Sequence, residues 1–107
     1  MKKGDIVLIP FPFTDLSGNK NRPALVLING IIDVTVCFLT TQLKFQSEYD
    51  IKIEPAGNNG LKKTSIIRLD KIATIDKDLV LGKLGNITAR ETKLLNLNLK
   101  KLFCLND

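Results

Sequence analysis

The strongest constraint on the fold lies in residues 4–28, where two short apolar runs, 6–9 and 24–28, flank Pro10-Phe11-Pro12 and a polar loop. Two prolines two residues apart stop any helix and confine their segment to a sheet edge or a bend. The stretch therefore predicts a first strand over 5–10, a long loop, and a second strand over 23–29. The second strand is nearly all apolar, so it is expected to be buried on both faces. The loop carries Ser17-Gly18-Asn19, a turn signal. It ends at Arg22, and Pro23 restrains that arginine to extended backbone. A charge fixed at a strand mouth suits contact with something outside the fold, and a plain surface arginine is the simpler alternative.

The rest of the chain continues in short strands. Residues 34–42 alternate, with Val34, Val36, Phe38 and Thr40 on one face and Thr35, Cys37, Leu39 and Thr41 on the other. Residues 49–53 alternate and stop at Pro55. Residues 65–69 form a fifth strand that either continues through 70–75 or bends into a sixth, and 79–84 form the last. Thr88-Ala89-Arg90-Glu91 has the form of a capping box, opening a helix to about Leu102. Leu95, Leu99 and Leu102, with Leu94, Ala89 and Phe103 beside them, make its apolar side. Arg90, Lys93, Lys100 and Lys101 make its solvated side. The pattern predicts a mainly β (α+β) fold: a strongly bent barrel of about six to seven strands with a C-terminal helix, in one domain over residues 1–107.

Composition narrows the chemistry. The chain has 107 residues, enough for one core, and 44% hydrophobic and 25% charged content, as in an ordinary soluble globular protein. Its net charge of +5 and pI near 9.4 suit an acidic partner such as nucleic acid. It has no histidine, which removes imidazole acid–base chemistry and the commonest metal ligand. The two cysteines, Cys37 and Cys104, sit in apolar contexts and are expected to be buried thiols in a reducing cytoplasm. The expectation is no metal and no cofactor. No apolar stretch approaches the roughly 18 residues that cross a membrane, and Asp5 argues against a signal peptide.

Gly4-Asp5-Ile6-Val7, then Pro10-Phe11-Pro12-Phe13-Thr14-Asp15, then Arg22-Pro23-Ala24-Leu25-Val26-Leu27, closely resembles the opening of the PemK/MazF family of bacterial toxins. Leu39-Thr40-Thr41-Gln42 resembles the family's third-strand end. Ile66-Ile67-Arg68-Leu69-Asp70 with Ala73-Thr74-Ile75-Asp76 resembles a later strand. The resemblance implies an SH3-like barrel, a homodimer and a cognate antitoxin protein. It also implies sequence-specific, metal-independent cleavage of single-stranded RNA, in which the ribose 2′-hydroxyl attacks the phosphate to leave 2′,3′-cyclic phosphate and 5′-hydroxyl ends.

Carried onto this chain, the resemblance implies that Arg22 stabilises charge at the phosphate, a role that suits a bidentate, always protonated guanidinium, with proton donor the alternative that so weak an acid suits less well. Thr40 positions the phosphate, with Thr41 the register alternative and Gln42 beside it. Arg68 and Asp70, at i and i+2 and so on one strand face, act in one branch of the family as stabiliser or acid and as base. Phe11 and Phe13 either anchor the bend or stack on RNA bases, and Lys20 adds phosphate attraction. Arg68 and Asp70 also fit a surface ion pair, and Thr40 a simple edge β-former. Some members of that branch use an N-terminal histidine, which this chain lacks. Two other readings share the barrel: a non-catalytic module binding RNA or protein, and a gyrase-poisoning toxin. The latter group relies on a C-terminal tryptophan, and this chain has none.

Overall fold

The computed structural model describes residues 1–11, 20–44 and 47–106, and of Phe11 the backbone alone. Within them the chain runs β1 (Asp5–Phe11), β2 (Lys20–Asn29), β3 (Asp33–Thr40), β4 (Ile51–Ile53), β5 (Ser65–Asp76), a single 3₁₀ turn (Lys77–Leu79), β6 (Gly82–Asn86) and α1 (Ala89–Leu102). The strands form one antiparallel sheet in the order β4-β5-β3-β2-β1-β6, a half-barrel that agrees with the expected mainly β architecture.

Both faces of the central strands are buried, as the unbroken apolar run in β2 requires. Ile6, Leu25, Cys37, Leu39, Ile51, Ile53, Ile67 and Leu69 pack on one face with Leu95 of α1. Val7, Ile9, Ala24, Val26, Val34, Val36 and Ile75 pack on the other, with Phe38 partly covered beside them. The alternation expected for β3 places Phe38 and Thr40 on this second face.

Several boundaries differ from the sequence reading. β2 begins at Lys20, not at Pro23, because Asn21 and Lys20 pair with Pro10 and Phe11. β3 ends at Thr40, so Thr41 and Gln42 leave the ladder. The fourth strand keeps only Ile51–Ile53, and Ser47 to Asp50 turns instead, closed by Asp50 N–H donating to Ser47 O at 3.3 Å. Of the two alternatives left open for residues 65–75, the continuous strand forms, over Ser65–Asp76. The expected last strand over 79–84 is displaced to Gly82–Asn86, because Asp76 caps the 3₁₀ turn by accepting from the Asp78 N–H at 2.8 Å.

The capping box forms: Glu91 N–H donates to Thr88 Oγ1 at 3.1 Å and Thr88 N–H to Glu91 Oε1 at 2.9 Å. The buried side of α1 is Leu95 and Asn98, with Leu99 and Leu102 partly covered, whereas Leu94, Ala89 and Phe103 are exposed. Asn98 takes an inner position because its amide donates to Tyr49 O at 3.3 Å.

Cys104 is exposed, contrary to its apolar neighbourhood. It is the left-handed residue (φ 56°) that ends the helix: its N–H donates to Lys101 O at 3.2 Å, and Leu105 N–H to Lys100 O at 2.8 Å. At the other end of the chain, Gly4 has φ +94°, a conformation suited to glycine, while its N–H and C=O tie to Val26 O and Ile87 N–H. Asp5, 1% exposed, accepts from Lys2 N–H at 2.9 Å and meets Lys83 Nζ at 3.4 Å. The Gly4-Asp5 pair is therefore an architectural joint.

Candidate functional site

The site is set by register. β2 and β3 place Ala24 opposite Phe38, and continuing that register two residues sets Arg22 opposite Thr40. β3 and β5 place Phe38 opposite Arg68 and Thr40 opposite Ile66. Cross-strand partners share a face, so Arg22, Phe38, Thr40 and Arg68 lie on one surface of the sheet.

Arg68 reaches that face only through an irregularity. Cys37 pairs with Ile72, but the next residue, Phe38, pairs with Arg68, so Leu69, Asp70 and Lys71 are extra residues on β5. Without the shift Phe38 would face Lys71, and Arg68 would turn to the opposite side. Side-chain alternation has a period of two, so a slip of odd length exchanges the faces.

These residues line an open groove of about 670 Å³: Arg22, Phe38, Leu39, Thr40, Thr41, Gln42, Arg68 and Lys71. Five expected site residues, Arg22, Thr40, Thr41, Gln42 and Arg68, thus come together. Asp70 does not line the groove; it stands beside it, its Oδ1 3.4 Å from Arg68 Nη2. Lys20 opens β2 as an exposed residue away from the lining. Phe13 lies outside the described residues, as does most of the long loop expected between the first two strands, and Phe11 contributes its backbone to β1.

Three residues at the site escaped the sequence reading. Phe38 supplies an apolar wall and Lys71 a third cation. Asp50 supports Arg68 from below: its side chain has no exposed surface, and its Oδ1 lies 3.3 Å from Arg68 Nε. The alternation of β3 offered a signal for Phe38. None existed for Lys71 or Asp50, since both depend on the bulge and on the Ser47 to Asp50 turn.

The groove suits an anionic ligand. Arg22, Arg68 and Lys71 bring positive charge, and guanidinium groups match the two oxygens of a phosphate. The Thr40 hydroxyl accepts from Gln42 N–H at 3.2 Å. That contact uses a lone pair and leaves the hydroxyl hydrogen to donate to an anionic oxygen. Thr41 also borders an adjoining hollow of about 390 Å³ with Asn21, Pro23, Lys62 and Lys63 along it. A mainly apolar hollow of about 510 Å³ between α1 and the sheet is lined by Leu27, Ile28, Ile72, Leu99 and Phe103 among others, with Lys3 and Lys100 at it but no arginine. Among the described residues no three His, Cys, Asp or Glu side chains converge as metal ligands. No helix among them is long and apolar enough to cross a membrane.

The sequence profile of the PemK-like, MazF-like toxins of type II toxin–antitoxin systems matches residues 2–103. The chain belongs to this family. Solved structures agree with its PemK/MazF-like fold. The Mycobacterium tuberculosis toxin MazF-mt6 superposes with a TM-score of 0.78 at 21% identity, covering 96% of this chain and 99% of that one. A mycobacterial endoribonuclease in complex with its cognate antitoxin gives 0.78 at 23% identity, covering 100% and 98%. A further mycobacterial endoribonuclease gives 0.76 at 22% identity, covering 100% and 94%. No curated protein sequence matches the chain.

Proposed function

We propose that this PemK/MazF-like toxin is a sequence-specific endoribonuclease that cleaves single-stranded RNA without a metal ion. The observation that carries the reading is the convergence of Arg22, Thr40 and Arg68 on one groove with Lys71, in a family whose structural neighbours include endoribonucleases.

In this reading a phosphodiester lies across the groove. Arg22 faces its non-bridging oxygens and stabilises the charge that builds in the pentacoordinate transition state. Thr40 donates its hydroxyl hydrogen to the same phosphate. Asp70, exposed beside Arg68, takes the proton of the 2′-hydroxyl. O2′ then bonds to phosphorus, the bond to O5′ breaks, and the departing O5′ gains a proton from water in the open groove. The nucleophile is intramolecular, so no water need be activated. Arg68 holds Asp70 and adds positive charge. Thr41 and Gln42, at the emerging end of β3, and Lys20 along the approach contact neighbouring nucleotides.

The same reading includes a cognate antitoxin as partner, a homodimer, a cytoplasmic setting and a single toxin domain over residues 1–107. One neighbour is described in complex with its cognate antitoxin, and the net charge of +5 suits acidic partners.

The test is incubation of purified protein with total RNA in EDTA, followed by mapping of 5′-hydroxyl ends. Ends clustered at one short motif are expected. Absence of new ends, or ends that require added divalent metal, overturns the reading.

A further inference from the structure

Arg68 is held at two edges of its guanidinium. Asp70 Oδ1 meets Nη2 at 3.4 Å, and Asp50 Oδ1 meets Nε at 3.3 Å. The two carboxylates differ in setting. Asp70 keeps 34% of its side-chain surface exposed, whereas Asp50 has none and Arg68 only 12%. A carboxylate taken out of water is costly unless a positive charge and hydrogen bonds compensate it. Asp50 has both. Ser47 Oγ donates to its Oδ1 and Ser47 N–H to its Oδ2, each at 3.3 Å. Tyr49 N–H donates to Ser47 Oγ at 3.1 Å, and Asn98 of α1 holds Tyr49 O. Asp50 therefore stands on a turn anchored to both the sheet and the helix.

We propose that Asp50 is a positioning residue that sets the orientation of Arg68 in the groove; the proposal rests on the endoribonuclease reading above. An arginine side chain has several rotatable bonds, and its guanidinium is useful at a transition state only when its plane is set beforehand. The buried ion pair, with Asp50 Oδ1 3.3 Å from an Nε that makes no hydrogen bond among the described residues, restrains the guanidinium by charge. It also fixes where Nη2 holds Asp70, the proposed base. Asp50 acts through Arg68 and touches no substrate. Its negative charge partly offsets the arginine's pull on phosphate, so it favours orientation over ground-state binding. Loss of an interaction of this kind lowers kcat without raising KM.

The experiment is a double-mutant cycle of Asp50→Asn, Arg68→Ala and the double variant. Single-turnover cleavage is measured on an oligoribonucleotide carrying the motif mapped from total RNA, with thermal unfolding of each protein alongside. Asp50→Asn is expected to lower kcat by about 100-fold, the scale of a small misplacement of a reacting group, with KM unchanged or lower. In the Arg68→Ala background it should add no further loss. An equal loss in both backgrounds, or no loss in either, overturns the proposal. If Asp50→Asn does not fold, Asp50→Glu, which keeps the charge on a longer arm, carries the same comparison. The Arg68 Nε–H resonance in ¹⁵N-arginine-labelled protein gives a readout besides cleavage. Its chemical shift should move in the variant, as the guanidinium loses its buried counter-charge. If the natural chain cleaves no RNA, the endoribonuclease reading fails. The resonance still decides whether Asp50 holds Arg68, and a resonance unchanged by Asp50→Asn overturns that.

Discussion

Asn58 and Asn86 grip each other by two hydrogen bonds: Asn86 N–H donates to Asn58 O at 2.8 Å, and Asn58 Nδ2 donates to Asn86 O at 2.8 Å. Asn58 belongs to the turn between β4 and β5, and Asn86 ends β6. β4 and β6 are the two edges of the sheet, so this clasp draws opposite margins together and bends the sheet toward a barrel. The approach is close enough to demand glycine. A Cβ on Gly85 would come 2.3 Å from Asn58 O, and one on Gly60, at φ +69°, 2.2 Å from Leu84 O.

Gly85→Ala should therefore destabilise the fold by about 1–3 kcal/mol, the usual cost of forcing extra volume into a packed contact. The check is a lower denaturant midpoint with an unchanged m value. Gly60→Ala should cost at least as much, since it adds backbone strain to the clash.

Arg22→Ala should reduce RNA cleavage by about 100- to 1000-fold, the effect of removing one charge-stabilising donor from a transition state. Its Tm should stay within a few degrees of the natural chain, because Arg22 lies on the groove and not in either buried cluster. Cleavage at the original rate by a folded Arg22→Ala protein would remove Arg22 from the mechanism.

Lys71→Ala should weaken RNA binding at every sequence alike. The slope of log K against log salt should fall by about 0.7, the share of one phosphate contact to a single strand. Titrations of non-cleavable RNA at several salt concentrations measure this. A change confined to one sequence would mean that Lys71 reads a base.

Cys104→Gly should raise stability by about 1 kcal/mol, because glycine occupies left-handed backbone without the penalty of a Cβ. Equilibrium unfolding in urea gives the number. The same variant should abolish rapid labelling by a thiol reagent, leaving only the buried Cys37.

Burial pushes the Cys37 thiol up to about 12 from 9.0. Between these values the unfolded chain has released the thiol proton and the folded chain retains it. Unfolding is then favoured as pH rises, so the stability Cys37 contributes is whole below about 9 and is lost toward 12. Urea unfolding across that range should show a steeper decline in the natural chain than in Cys37→Ala.

Much of this protein is legible from residue order alone. Pro10 and Pro12 exclude a helix, the apolar run after Pro23 demands burial on both faces, and Thr88 with Glu91 opens the one α-helix seen among the described residues. The alternation in β3 assigns Phe38 and Thr40 to a common face. These features rest on local stereochemistry, which acts within a few residues. Local pattern also misleads: the hydrophobic neighbours of Cys104 suggested burial, but the backbone needed a left-handed terminator there, and that exposes the side chain.

Arg22 and Thr40 could be named from the opening motif and the strand end, yet their meeting depends on the pairing of β2 with β3. Arg68 goes further. The i and i+2 spacing of Arg68 and Asp70 promised two side chains on one strand face. The two do meet, with Asp70 Oδ1 3.4 Å from Arg68 Nη2, but it is the insertion of Leu69, Asp70 and Lys71 into β5 relative to β3, an odd-numbered slip, that turns Arg68 into the groove. Asp50 then meets Arg68 across eighteen positions of sequence. A bulge is settled by which register buries Ile67 and Leu69 against Leu39 and Cys37. That competition is between strands, so the residue order specified the groove's chemistry and only the paired sheet decided which charges share it.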